Sequence, residues 1–217
     1  METQSTARPR RRLSRAERRA QTHEELLEAA ARVFARKGYA GASVDDIAEE
    51  AGFTVGALYS NFAGKQDLFL AAFERHCDQG LARIQSTMGG PGSTKQRLEA
   101  YSRQFAELSE HRQWWLLSAE LWLYAQRDPD ARARLAALER KVRAIVADTL
   151  QREAARSGYP LQAPPDEVAA AVLALWRGLM QQRLLDPAAV SATSFATTVS
   201  WMLQGAAAGP RAVRPRP

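Results

Sequence analysis

Eight consecutive residues, Thr54-Val55-Gly56-Ala57-Leu58-Tyr59-Ser60-Asn61, combine small side chains with hydroxyl and amide groups and carry no charge. Wound as a helix, Val55 and Leu58 turn inward. Thr54, Gly56, Ala57, Tyr59, Ser60 and Asn61 stay outward, a surface fit to press against base edges and sugar-phosphate. Lys65 follows the helix, within an ammonium's reach of a phosphate. A second group is aromatic. Trp114, Trp115, Trp122 and Tyr124 fall within eleven residues, with Phe105 before and Trp176 after, and Glu107, Glu110 and Glu120 add carboxylates. An aromatic wall beside a carboxylate suits a small hydrophobic, aromatic or planar cationic molecule. Ordinary core packing is the other reading of the same residues. A third group is basic. Residues 1–19 hold Arg8, Arg10, Arg11, Arg12, Arg15, Arg18 and Arg19 against Glu2 and Glu17, a net +5, and Arg211, Arg214 and Arg216 add +3 at the other end. Such an end is a polyanion-seeking arm or a solvated tail.

The missing chemistry narrows the field. The chain has one cysteine, Cys77, and three histidines, His23, His76 and His111. That excludes an internal disulfide and any zinc site built on several cysteines. No Glu stands three residues before a histidine, as helical di-iron sites require. There is no Gly-x-Ser-x-Gly and no phosphate loop. No catalytic residue, metal or cofactor is expected, and the protein is read as not an enzyme. The whole chain of 217 residues carries +6, so residues 20–210 carry −2. Residues 20–65 are themselves net −3, which leaves the basic arm to supply counterion release on a polyanion. No run of 18 apolar residues and no apolar stretch before residue 26 points to a cytoplasmic protein with no membrane partner.

The elements that position these groups read as helices. Strand patterns are missing, and Ala, Leu, Arg and Glu dominate. A first helix is expected over about 15–36, with Gly38 just past its end. A second follows Ser43, a good N-cap with Asp45 and Asp46 at the positive end of the dipole, and stops at Ala51-Gly52. Ser43 thereby also aims a helix N-terminus at a phosphate. A third begins after Thr54 and carries Val55 to about Asn61. A fourth covers about 66–87. Five more fall at about 94–110, 113–126, 130–157, 166–185 and 191–206. Two short helices joined by a turn with glycine make a helix-turn-helix, whose second member enters the major groove. Ile47, Ala48 and Ala51 form its inner face. Ala48 and Gly52 are small where the helices approach. Val55 is an inner-face residue and also sits in the first turn of the reading helix.

Residues 38–69, GYAGASVDDIAEEAGFTVGALYSNFAGKQDLF, resemble the DNA-binding signature of the TetR family of bacterial one-component repressors. The agreement lies at Gly38-Tyr39, Val44, Ile47-Ala48, Ala51-Gly52, Gly56, Leu58-Tyr59, Phe62, Lys65 and Leu68. Beyond about Glu25 to Leu70 the chain agrees only in length and helical character. The resemblance implies an all-α fold of about nine helices. A three-helix helix-turn-helix domain precedes a helical ligand-binding and dimerisation domain. The expected limits are a basic flexible arm at 1–19, the DNA-binding domain at 20–66, the effector-binding and dimerisation domain at 67–207 and a basic tail at 208–217. The implied DNA contacts are Ser43, Thr54, Val55, Gly56, Ala57, Tyr59, Ser60, Asn61 and Lys65, joined by Arg8, Arg10, Arg11 and Arg12 of the arm. Tyr59 is expected to stack on sugar-phosphate and Lys65 to meet a phosphate. The ligand residues expected from the aromatic cluster are Phe105, Trp114, Trp115, Glu120, Trp122, Tyr124 and Trp176.

Two apolar stripes, Val168, Ala171, Val172, Leu175, Leu179 and Leu185, then Phe195, Val199, Met202 and Leu203, occupy the last two helices. By resemblance they pair between protomers as a four-helix bundle; otherwise they close the monomer's own core. The expected function is a homodimeric regulator on an inverted-repeat DNA operator, a repressor released by a hydrophobic or aromatic small molecule. The alternative is a regulator controlled by a protein partner or by no ligand. A helical enzyme with an apolar pocket would need an acid/base grouping that the chain lacks. A sequence-indifferent nucleoid protein would line its reading helix with Lys and Arg.

Overall fold

The computed structural model describes residues 14–106, 110–158, 161, 163–191 and 193–208, with side chains throughout save 104–106, 110, 111 and 204–208. Among the described residues there are nine helices and no strand: α1 (Arg15–Gly41), α2 (Val44–Ala51), α3 (Val55–Tyr59), α4 (Lys65–Gly89), α5 (Thr94–Ala106), α6 (Glu110–Ala125), α7 (Pro129–Ser157), α8 (Pro165–Leu185) and α9 (Ser194–Ala208). The all-α expectation holds. Two compact units result, Met1–Ala72 and Phe73–Pro217.

Local chemistry sets the helix ends. Ser14 Oγ accepts from the Glu17 N–H at 3.1 Å while the Glu17 carboxylate accepts from the Ser14 N–H at 2.8 Å. This reciprocal box satisfies two donors that the first turn otherwise leaves bare. It fixes the start of α1 at Arg15, so Arg15, Arg18 and Arg19 ride on a helix. The reading of 1–19 as one flexible arm is corrected accordingly for those three residues. Arg8, Arg10, Arg11 and Arg12, and the tail from 209, lie outside the described residues. Gly38, at φ 70° and ψ 173°, interrupts the helical winding of α1 near the expected end. The same box recurs at Ser43 and Asp46, both bonds at 3.0 Å, and Gly52 closes α2 in the left-handed conformation at φ 71°. Any residue with a Cβ would be strained there. Asp128 Oδ1 accepts from the Ala131 N–H at 2.8 Å and starts α7.

The core of the first unit is a continuous apolar set. Leu26, Leu27, Ala30, Val33 and Phe34 of α1 are buried with Ile47 and Ala48 of α2, Leu58 of α3, Phe62, and Leu68 and Phe69 of α4. Each large side chain of this kind contributes on the order of 1.5–3 kcal/mol by leaving water. In the second unit Leu98 and Tyr101 of α5, Val146 and Leu150 of α7, Val168 and Val172 of α8, and Phe195 and Val199 of α9 form one cluster. Beside it lies a buried ion pair. The Arg97 guanidinium meets the Glu153 carboxylate, to which Thr94 Oγ1 also donates at 2.9 Å. Arg97 further donates to the Gly92 carbonyl, and Arg156 bridges Glu153 at 3.0 Å to the Met88 carbonyl at 3.1 Å.

Candidate nucleic-acid interface

The turn between α2 and α3 is pinned by its backbone. The Phe53 N–H donates to the Ala48 carbonyl at 2.9 Å, and the Gly52 N–H to that of Glu49 at 3.0 Å. α3 then starts at Thr54, whose Oγ1 accepts from the Ala57 N–H at 3.2 Å. A five-residue helix has too few internal bonds to stand alone. Leu58, completely buried, anchors it to the core. Its neighbour Tyr59 is 56% exposed. Thr54, Gly56 and Ser60 are exposed, while Val55, Ala57 and Asn61 are half-buried. The far end of α3 is closed by side chains: Ser60 Oγ and Asn61 Nδ2 both donate to the Ala57 carbonyl, at 2.7 and 2.8 Å. Two residues read as contacts thus already hold the helix end. Asn61 Nδ2 also donates to Ser60 Oγ at 3.3 Å, so it is the amide oxygen that Asn61 can offer a ligand. A Cβ added at Gly56 would meet nothing nearer than Thr54 Oγ1 at 3.8 Å.

Three features around α3 carry no motif of their own in the sequence. Lys65 Nζ lies 4.5 Å from the centre of the Tyr39 ring, a cation–π contact that holds the ammonium at the start of α4. Tyr39 in turn packs on Phe69 at 4.7 Å between ring centres, and its burial raises the pKa of its hydroxyl. His23 stacks on Phe62 at 4.5 Å, which ties α1 to the segment just past α3. Tyr39, Phe62 and Lys65 were legible as motif positions, but the contacts of Tyr39 with Lys65 and of Phe62 with His23 were not.

The charges of α1 and α2 are turned to each other. Arg32 Nε and Arg36 Nη2 reach the Glu50 carboxylate at 2.9 and 2.5 Å, and Lys37 Nζ reaches Asp46 at 2.8 Å. Arg36 first, then Arg32, lowers the pKa of Glu50. Lys37, followed by the Ser43 hydroxyl and N–H, holds Asp46 at about 2. These pairs draw on cations already counted in the net −3 of residues 20–65, so that net charge stands.

The aromatic residues expected to share one wall are dispersed. Trp114 stacks on His76 of α4, with ring centres 3.9 Å apart and planes 9° from parallel, and Phe73 tilts against it at 6.2 Å. Trp115 is half-buried, Glu120 exposed and Trp122 57% exposed. Tyr124 donates its hydroxyl to Asp128 at 2.7 Å. Trp176 joins the α5–α9 core, 5.7 Å from Tyr101 and 5.0 Å from Phe195. The reason is helical geometry: neighbours on α6 diverge by about 100° per residue, so closeness in sequence does not make one surface. Glu107 and the side chains of Phe105 and Glu110 lie outside the described residues. The two stripes also divide. Val168, Val172, Phe195 and Val199 are buried in the unit's own core, and Leu175, Leu179, Met202 and Leu203 lie partly buried against it. Ala171 is exposed, Leu185 is 83% exposed, and Trp201, outside the expected stripe, is 65% exposed.

Among the described residues no group of His, Cys, Asp and Glu could hold a metal ion, and no helix is long and apolar enough to cross a membrane. Residues 26–72 match the model of bacterial regulatory proteins of the tetR family, and residues 94–207 that of the C-terminal part of BetI-type transcriptional repressors. The HTH-type transcriptional activator FasR of Mycolicibacterium smegmatis is 38% identical over 100 residues. That match covers 46% of this chain and 44% of FasR, so it spans less than half of that relative's length. A transcriptional regulator of Saccharomonospora viridis, solved with choline, superposes with a TM-score of 0.66 at 22% identity, over 85% of this chain and 96% of that one. FadR of Bacillus subtilis, solved with stearoyl-CoA, gives 0.65 at 17% identity, over 83% and 97%. Both likenesses are of fold.

Proposed function

The chain belongs to the TetR family of bacterial regulatory proteins, and on that premise we propose that it works as a homodimeric repressor of an inverted-repeat operator, released by a small hydrophobic or aromatic ligand. Family membership makes it a DNA-binding transcriptional regulator and not an enzyme. The observation that carries the DNA reading is the split of α3 into a fully buried Leu58 and a mostly exposed Tyr59 beside small uncharged neighbours. In this reading Thr54, Val55, Gly56, Ala57, Tyr59, Ser60 and Asn61 meet base edges and sugar-phosphate. Ser43 brings the N-terminus of α2 to a phosphate, and Lys65, steadied by Tyr39, meets another. Arg15 and Arg19 share a helical stripe with His23, which stacks just past α3. Together with Arg8, Arg10, Arg11 and Arg12 they supply backbone contacts.

Dimerisation is assigned to α8 and α9, supported by the exposed Leu185 and Trp201 and by the two-fold demand of paired half-sites. The effector is assigned to the second unit, near Trp114, Trp115, Glu120, Trp122 and Tyr124. Support comes from fold neighbours solved with choline and with stearoyl-CoA. A ligand releases DNA only if it binds the DNA-free conformation more tightly. Repression is favoured by the BetI-type likeness, whereas FasR is an activator.

Selection of bound fragments from the source genome, followed by footprinting, tests the reading. Two half-sites about 10 bp apart centre to centre, or a multiple of that, should emerge and overlap a promoter. Equal binding to unrelated DNA overturns it. A footprint upstream of the promoter would reverse the sign of regulation. Tryptophan fluorescence titrated with choline and with stearoyl-CoA tests the effector class, and a response to neither favours a protein-controlled or ligand-free regulator.

A further inference from the structure

We propose that the effector is a carboxylic acid with a flat apolar body, held by its carboxylate on Arg83 of α4 with the Ser102 hydroxyl of α5 as a second donor. The assignment rests on the effector reading of the second unit and gives that ligand its charge.

Two donors are enclosed here and unanswered. Arg83 is half-buried, and its Nε is shut off from water without a hydrogen-bond partner. No carboxylate of the described residues pairs with its guanidinium. Acids earlier on the same helix are engaged elsewhere, Glu74 by Arg134 at 3.2 Å and Asp78 by Lys141 at 2.5 Å. Ser102 Oγ is buried and also lacks a partner. Ser118, Thr149 and Ser200, on other helices, each donate to a carbonyl of their own helix, at 2.7, 2.8 and 2.8 Å. Enclosed donors left bare cost stability, so native folds hold few of them and a bound acceptor is one way to answer them.

The surroundings set the rest of the ligand. Phe73, His76, Gly80 and Arg83 follow one another along one side of α4, at intervals of three and four residues. At the first end Trp114 lies flat on His76 at 3.9 Å, with Phe73 tilted against it. Gly80 then brings no side chain. A Cβ built there would meet Arg83 Nη2 at 3.8 Å, so the guanidinium turns back over bare backbone toward the aromatic end. It also lies near the Tyr101 hydroxyl, whose pKa is raised by burial and lowered in part by the Arg83 charge. Tyr101 packs on Trp176 and Phe195, and Ser102 follows it on α5. A guanidinium so placed offers paired donors to a carboxylate and repels an ammonium. The aromatic end beside it suits a ring.

Calorimetric titration of the full chain with naphthylacetate, the uncharged naphthylacetamide and the cationic naphthylethylammonium tests it. Naphthylacetate should bind roughly tenfold or more tighter than the other two. Arg83→Met should remove that preference, and Ser102→Ala should weaken naphthylacetate several-fold. Arg83→Met should also raise the urea midpoint of the ligand-free protein, because it removes an unanswered charge, whereas a guanidinium that only braced the helices would leave a lower midpoint. No binding of naphthylacetate, equal binding of the three compounds, affinity indifferent to either substitution, or a lowered midpoint overturns the proposal. The two readings fail separately. Operator release by the amide or the ammonium compound, without binding of the acid, keeps the ligand-released regulator and overturns the acid. Binding of the acid through Arg83 with operator affinity unchanged keeps the site and overturns release.

Discussion

In the first unit the ion pairs lie at the surface, between Arg32, Arg36 and Lys37 of α1 and Glu50 and Asp46 of α2. In the second unit Arg97 and Glu153 form a pair enclosed among α5, α7 and the 90–93 turn. Exposed pairs add little stability, because water already solvates their members. They compensate charge and set one helix against another. An enclosed pair tolerates no loss, since a single remaining charge has no water to turn to. The first unit thus rests on an apolar core, while the second encloses a polar junction in addition to surface pairs such as Arg134–Glu74 and Lys141–Asp78.

Removing one member of each pair is the strongest way to break that comparison. Glu153→Ala should cost about 3–5 kcal/mol by stranding the Arg97 guanidinium, visible as a large fall in urea midpoint. Arg97→Met with Glu153→Leu should restore much of the loss. Glu50→Ala should move the midpoint by no more than the scatter between repeats. Equal effects at Glu153 and Glu50 would erase the distinction.

Two adjacent residues of α3 sharpen the contrast between scaffold and surface. Leu58→Ala should cost about 2–5 kcal/mol of stability through the cavity it leaves. Tyr59→Ala should leave stability alone and weaken operator binding by about 1–3 kcal/mol. A Tyr59→Ala protein that binds as tightly as the parent would remove α3 from the interface.

Smaller effects come from charge at the edges. Deleting residues 1–13 keeps Ser14 and its cap, so folding should be unchanged. The slope of log K against log salt should flatten by about 0.9 for each phosphate that the shortened chain no longer neutralises. Identical slopes would make the segment a solvated tail. Asp46 offers the finest test. Its folded pKa lies below its unfolded value, so its cap contributes fully above the ordinary carboxylate range and is lost as pH falls through about 2. Lys37→Met should move the Asp46 carboxyl resonance titration upward, and an unmoved midpoint would discount the Lys37 contact.

Helix ends were legible in the sequence because their causes are local. Ser43, Gly52 and Thr54 act within a turn of where they stand, and so does the motif that carries α3. The start of the first helix at about residue 15 was legible, though Ser14 was not named as its cap and Arg15, Arg18 and Arg19 of that helix were also assigned to the arm. What distance couples could not be read. Arg97 and Glu153 are 56 residues apart, and nothing in either neighbourhood marks the other. Trp114 and Trp176 look alike in sequence, yet one stacks on His76 and the other fills the α5–α9 core. α6 is apolar on more than one side, so periodicity alone could not choose its inner face.

Gly56 has a consequence for how such proteins diverge. Its place on α3 is empty, and a methyl group there would touch nothing closer than a neighbouring hydroxyl. Here a side chain can be written in without disturbing the core, and exchanging glycine for alanine within a helix stabilises it by about 0.5–1 kcal/mol. If α3 reads DNA as proposed, glycine at this position leaves that surface open, and a side chain added at this one residue would change the binding preference while the fold stays as it is.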